Sequence, residues 1–349
     1  MMQSGPRACA RKSNETGPLR TLKGFLSAET YLGILIIAVL LFLYFAASEF
    51  YSLQNIITVL RVFSYVFIAG IGMTMIIITG NIDISFGAVV SVIAIVCAAV
   101  SKAGCDLLLF LPAGMLTGAA LCGLNAVIMA KFKIPSIVVT LATMQIFYGA
   151  LLLVIDGAIY DLTAKWTWFS FDAKLFGILP LSVIIAMVLL VLAILFFKYS
   201  RFMKKVYAIG NNVQGAKYAG INVDQTLIVI YLISGALLGL SAVTLATNGT
   251  RVTCTVGNNF EMLVIAAVIV GGTNAMGGSG KIYGTALGAL LLAIVSPALI
   301  FLKINTYWTD LFTGLIIVIA VILSAVKNFK LKIREKDQNP NHLAEEKTI

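Results

Sequence analysis

The sequence predicts an all-α polytopic membrane protein of about ten transmembrane helices with both termini cytoplasmic. Three observations carry this. Of the 349 residues, 60% are hydrophobic and 11% charged, whereas soluble domains run at about 45–50% apolar and about 25% charged. Apolar stretches long enough to cross a hydrocarbon core, which takes roughly 20 residues, recur along the chain. The basic residues crowd beside those stretches rather than within them.

Apolar length, broken at polar, glycine or proline punctuation, delimits the spans 30–47, 55–79, 87–101, 107–130, 134–155, 178–197, 225–247, 260–273, 282–302 and 307–326. Residues 1–28 then form a cytoplasmic tail, 29–326 a transmembrane domain with a cytoplasmic loop at 198–224, and 327–349 a second tail. The first apolar run, Tyr31 to Ala47, has no small-residue cleavage site after it and reads as a retained helix. With both tails inside, 19 of the 25 Lys and Arg residues fall on inside segments, five fall outside, and Arg61 lies within a span. An odd number of spans would put one basic tail outside, so the positive-inside bias favours an even number.

The net charge of +10 is thereby explained by membrane topology, and no nucleic-acid partner is expected. Five cysteines without a C-x-x-C pair argue against a disulfide framework or metal site. The single histidine, His342, lies in the polar tail, which excludes an intramembrane triad. The longest outside loop, 156–177, carries Trp166, Trp168, Phe169 and Phe171, as an interfacial belt or a lid. Glycines at small-x-x-x-small spacing (Gly114 and Gly118; Gly235 and Gly239; Gly280, Gly284 and Gly288) predict close helix crossings.

Three segments put polar residues where lipid would reject them. In Ile78 to Gly87, Asp83 or Ser85 can cap the next helix, or the segment is a broken helix lining a solute path. Gly271 to Lys281 suggests a phosphate loop, but Ile282 replaces the required Ser/Thr and Ala275 the first glycine, leaving a tightly turning connection. In the loop 198–224, Asn211 or Asn212 can cap a short helix that Gly220 ends; that helix lies at the interface or docks into a partner's groove.

These segments resemble the permeases of bacterial ABC importers of the ribose, xylose, arabinose and galactose type. The family patterns I-T-G-G-I-D-L-S-V-G, I-P-x-F-I-V-T-L-G-T-M, Y-A-I-G-G-N-x-x-A-A-x-x-x-G-I and A-x-x-L-G-G-T-x-x-x-G-G-x-G are matched at Ile78 to Gly87, Ile134 to Met144, Tyr207 to Ile221 and Ala267 to Gly280. Asn81, Phe86, Ala142 and Gly215 depart from them, and Asn81 and Gly215 are similar to the related autoinducer-2 permeases. The resemblance implies a multi-pass subunit in the bacterial inner membrane, dimerised with a second copy or paralogue. It also implies an ATPase partner inside and a periplasmic or lipid-anchored sugar-binding protein outside. No cofactor is bound directly, and ATP is used through the partner. By the same resemblance Gly210, Asn211, Asn212, Gly215, Ala216, Lys217 and Gly220 belong to the ATPase-coupling loop.

Asn81, Asp83, Ser85, Asn125, Thr140, Thr143 and Gln145 are polar positions in apolar runs. They line the path, or they make hydrogen bonds between helices. Gly271, Gly272, Gly277, Gly278 and Gly280 are candidates for a gate or tight turns. An ion-gradient transporter using Asp83, Glu261 or Asp310 is the alternative class. An intramembrane enzyme lacks any nucleophile–base pair or metal site in these spans.

Overall fold

The computed structural model describes residues 28–103, 107–155, 159–161, 174–175, 179–247 and 251–305, with scattered positions from 308 to 318. Both tails, the tryptophans of the loop 156–177, and most of the expected span 307–326 lie outside the described residues.

Among the described residues the chain forms eleven α-helices: α1 (Ala28–Ala46), α2 (Leu53–Ile78), α3 (Phe86–Lys102), α4 (Leu107–Phe132), α5 (Ser136–Ile155), α6 (Leu181–Tyr199), α7 (Arg201–Asn211), α8 (Val213–Tyr218), α9 (Val223–Ala246), α10 (Phe260–Val270) and α11 (Ile282–Phe301). Seven of them, α1, α2, α4, α5, α6, α9 and α11, are long and apolar enough to cross a membrane; α3 and α10 are shorter apolar helices. These nine correspond to the first nine expected runs. The eighth ends at Val270 rather than 273, because Gly271 leads into a turn through Gly272 at φ +91°. The loop 198–224 contains α7 and α8. Its amides are capped in sequence: Ser200 Oγ accepts from Phe202 N at 3.1 Å, and Asn222 Oδ1 accepts from Gln225 N at 3.1 Å.

Helices α2 and α9 form the centre, and both are largely buried. Lipid offers no hydrophobic drive between helices, so close approach and interhelical hydrogen bonds must hold them. Gly118 and Gly235 face each other so closely that a Cβ on either would overlap the other's carbonyl, and Gly114 and Gly239 repeat the contact along α4 and α9. Gly284 abuts Gly271, and Gly288 abuts Ala267, where α10 crosses α11. Gly280, outside this crossing, packs on Thr273 and Ile78 instead. Ser234 Oγ donates to Gly72 O at 3.0 Å and Ser241 Oγ to Tyr65 O at 2.7 Å, tying α9 to α2. Thr74 and Thr285 hydroxyls pair at 2.8 Å between α2 and α11.

The connections gather in two groups. At one end Lys133 pairs with Asp224 at 2.5 Å, Lys281 with Glu29 at 3.0 Å, and Ile82 N donates to Ser136 Oγ at 3.2 Å. At the other, Phe50 meets the Phe301 ring edge-on at 5.9 Å, and Tyr160–Asp161 pairs antiparallel with Arg251–Val252.

Gly118→Val should lower the unfolding midpoint of the detergent-solubilised protein. Overpacking of this kind costs about 1–3 kcal/mol. Gly33→Ala on α1, where a Cβ meets open space, should leave the midpoint the same or raise it in the same thermal melt, since alanine is the better helix former by up to about 1 kcal/mol.

Candidate functional site

The site begins where α2 ends. The last turn closes through Thr79 N to Ile76 O and Gly80 N to Ile77 O, and Gly80 takes φ +80°, a left-handed conformation that costs glycine nothing. The Ile78 carbonyl leaves the helix ladder and accepts from Gly278 N at 2.8 Å. This brings the glycine-rich loop 271–281 onto the end of α2. Asn274 holds that loop to itself: its Nδ2 donates to Gly277 O at 2.9 Å and its Oδ1 accepts from Met276 N at 3.1 Å.

The third segment arrives through α7. Gly210 lies against Ile78 O and Gly278 N with no room for a Cβ. Tyr207 donates its hydroxyl to Gly280 O at 2.7 Å. Burial, then the neighbouring Tyr283, pushes the Tyr207 phenol up, so it stays a donor across the physiological range. Asn211 Nδ2 bonds back to Tyr207 O at 2.9 Å, while its Oδ1 stands beside Gly278. The three polar segments of the sequence thus converge on one backbone carbonyl.

From this junction the chain steps outward. Asn212 Oδ1 accepts from Gly215 N at 2.9 Å and starts α8. Ala216 is buried in a small cluster with Ile209 and Val223, which fixes α8 against α7 and α9. Gly220, at φ +78°, lets Ile221 N return to Ala216 O at 3.0 Å. Gly215 and Lys217 face outward, and Tyr218 is 91% exposed. The result is a short helix, capped at its start and turned sharply at its end, presenting an aromatic side chain beyond the bundle.

On the inner side of the junction the segment 79–85 turns back into the bundle. Asp83, Ser85 and Asn125 are all fully buried. Asp83 Oδ1 accepts from Ser85 N at 2.9 Å and from Ser85 Oγ at 2.6 Å, and Ser85 Oγ accepts from Asn125 Nδ2 at 2.8 Å. Asn125 lies seven residues before the end of α4, so α3 starts about 10 Å inside the bundle at 1.5 Å per residue. Asn81 is half-buried and bonds only as far as Thr79 Oγ1 at 3.0 Å. Thr140 and Thr143 are buried and donate within α5, to Ser136 O at 2.9 Å and Thr140 O at 3.2 Å. Gln145 is exposed on α5.

Sequence reasoning had not singled out Tyr207, Ser136 or the Ile78 carbonyl. Each acts through backbone proximity between distant segments, and no residue pattern reports that.

Seven helices long and apolar enough to cross a membrane, with a capped two-helix step at one end of the bundle, define the class as a multi-pass membrane protein. Residues 55–321 match the family model described as branched-chain amino acid transport system / permease component, and the chain belongs to that family. It is 29% identical over 317 residues to the ribose import permease protein RbsC of Haemophilus influenzae, covering 88% of this chain and 96% of that one. It is 30% identical to RbsC of Bacillus subtilis, covering 85% and 92%. It is also 30% identical to the autoinducer 2 import system permease protein LsrC of Yersinia enterocolitica, covering 77% and 74%. No solved structure matches the chain.

Ser85→Ala removes the hydroxyl between Asp83 and Asn125 and leaves two buried groups each short of a partner. It should cost about 1–3 kcal/mol, read as a lower unfolding midpoint. Asn81→Ala, with its single local bond at a half-buried position, should cost less than about 1 kcal/mol in the same measurement.

Proposed function

We propose that the chain is the membrane-spanning permease subunit of an ATP-driven importer for a monosaccharide, a ribose-like pentose or related sugar. A periplasmic or lipid-anchored binding protein delivers the sugar outside. An ABC ATPase docks inside and hydrolyses the ATP, so this chain binds no nucleotide itself. Ten spans place both termini in the cytoplasm of a bacterial inner membrane. Two permease copies, or this chain with a paralogue, enclose the path.

The observation that carries the reading is the outward step of α7 and α8. A short helix that is capped at its start, turned sharply at its end and fixed by Ala216 is built to lie in another protein's groove. Its root is the junction of Gly210, Ile78 and Gly278. A displacement of α8 therefore acts on the end of α2 and on the segment carrying Asp83. The names of the ribose relatives favour a pentose as cargo. The LsrC relative is no more distant in identity and favours autoinducer-2 as a second reading. An ion-gradient mechanism has no comparable support.

Proteoliposomes holding the permease, its ATPase and its binding protein should accumulate labelled D-ribose only with ATP inside the ATPase compartment. Insensitivity to a protonophore is expected, and collapse of uptake by it at constant ATP would overturn the reading. Competition by autoinducer-2 at lower concentration than ribose would select the second reading. Tyr218→Asp, at a side chain that is almost wholly exposed, should abolish ATPase co-purification and reduce uptake at least tenfold without shifting the unfolding midpoint. Gly215→Arg combined with Ala216→Glu should do the same with some loss of stability, because Ala216 is buried.

A further inference from the structure

Between the strand Arg251–Val252 and helix α10 the backbone is irregular, and three contacts fix how deep it runs. Arg251–Val252 pairs with Tyr160–Asp161 at the end of the bundle away from the Ile78 junction. Phe260, the first residue of α10, meets the Tyr65 ring at 6.1 Å. Tyr65 is the thirteenth of the 26 residues of α2, so Phe260 sits at mid-span, about 20 Å from Ile78 at 1.5 Å per residue. Gly257 N donates to Ser91 Oγ at 3.0 Å, and Ser91 lies about 8 Å further into the bundle than the start of α3 at Phe86. Residues 253–259 therefore descend from the outer strand pair to the middle of the membrane without forming a helix.

Such backbone survives at membrane depth only where it is buried in protein or lines a water-filled cavity. One side of the segment is buried. The Gly257 carbonyl and Glu261 Oε2 both lie against Gly87 of α3, leaving no room there for a Cβ. Turns hold the chain in place, from Asn258 N to Thr255 O at 3.0 Å and from Phe260 N to Gly257 O at 3.1 Å. The other side is bare: Thr255, Asn258 and Asn259 are all exposed. Gln145 repeats the pattern, an exposed amide at the tenth of the 20 residues of α5, a helix that also packs on α3. An amide set against hydrocarbon has nothing to bond, which is costly. The lipid-facing surface of α6 obeys that constraint, since its exposed mid-span residues Met187, Val188, Val191 and Leu192 are all apolar.

We propose that residues 253–259 are a re-entrant wall of a water-filled path that opens at the outer end of the bundle and reaches mid-membrane. Thr255, Asn258 and Asn259 face the solute there, and Gln145 meets the same water at the same depth. The side chains this wall exposes are amides and a hydroxyl, which donate and accept hydrogen bonds without carrying charge. They suit an uncharged, hydroxylated solute and offer an ion no counter-charge. The assignment rests on the importer reading given above and supplies the outer half of its path.

The test is aqueous access. Asn258→Cys, Gln145→Cys and Val188→Cys are each placed in a chain whose five native cysteines are alanine. A membrane-impermeant methanethiosulfonate cation is then added to the outer face of spheroplasts. It reacts with the thiolate, which forms in water and not in hydrocarbon, so Asn258→Cys and Gln145→Cys should label at least about tenfold faster than Val188→Cys. Labelling at 258 should also stop ATP-driven uptake of labelled D-ribose. Labelling of Asn258→Cys no faster than of Val188→Cys would mean that lipid or a second copy of the chain covers the segment. That result would overturn the wall and leave the importer reading intact. Slow labelling of Gln145→Cys alone would remove that residue from the wall. Asn258→Leu, in the chain with its native cysteines, checks the same point in lipid nanodiscs. Facing water, it should leave the unfolding midpoint unchanged or lower it, and a raised midpoint, the mark of an amide relieved of contact with hydrocarbon, would overturn the wall. Fast labelling alongside a wild type that takes up neither ribose nor a related sugar overturns the importer reading and, with it, the assignment of the wall to a solute.

Discussion

A single backbone carbonyl, that of Ile78, organises the candidate site. A helix that ends inside a protein must find partners for its last carbonyls, and Ile78 is fully buried, away from water. Ile78 finds Gly278 N at 2.8 Å. That bond requires the glycine-rich loop to lie flat on the end of α2, and Gly277 and Gly278 both take positive φ to allow it. It also requires whatever packs over the pair to lack a side chain, which is the place Gly210 occupies. The direction of α7, the placement of α8 beyond it and the inward turn toward Asp83 all follow from this one closure.

The helical plan was legible from composition and punctuation, because lipid makes apolar length the dominant signal. The described helices sit within a few residues of the expected runs. The glycine spacings announced close crossings, and Gly114, Gly118, Gly235 and Gly239 do meet. What spacing could not supply was the pairing itself, that the first two face the last two. Gly280 belonged to the same pattern by spacing but packs at the junction, since the helix starts only at Ile282.

The candidate site was legible in its segments and opaque in its assembly. Polar residues inside apolar runs marked Asp83, Ser85 and Asn125 singly. Their mutual bonding brings together residues forty positions apart, which no local pattern encodes. Thr140 and Thr143 stood out by the same polarity, and the structure shows each bonded to its own helix, as short hydroxyl side chains commonly do. Glu261 was visible as a rare acid, but its seat against Gly87 of another helix was not.

The glycine contact between α4 and α9 has a mechanical consequence. Side chains between two helices act as springs, since rotamers yield under load. Backbone against backbone has no such give. The two helices therefore behave as one stiff beam, about 36 Å long for the 24 residues of α9 at 1.5 Å rise each. The α8 step is joined to the foot of that beam by a turn of only four residues. A small tilt imposed at the foot reappears at the far end undamped, magnified in proportion to the beam's length, beside the strand pair that joins 160–161 to 251–252.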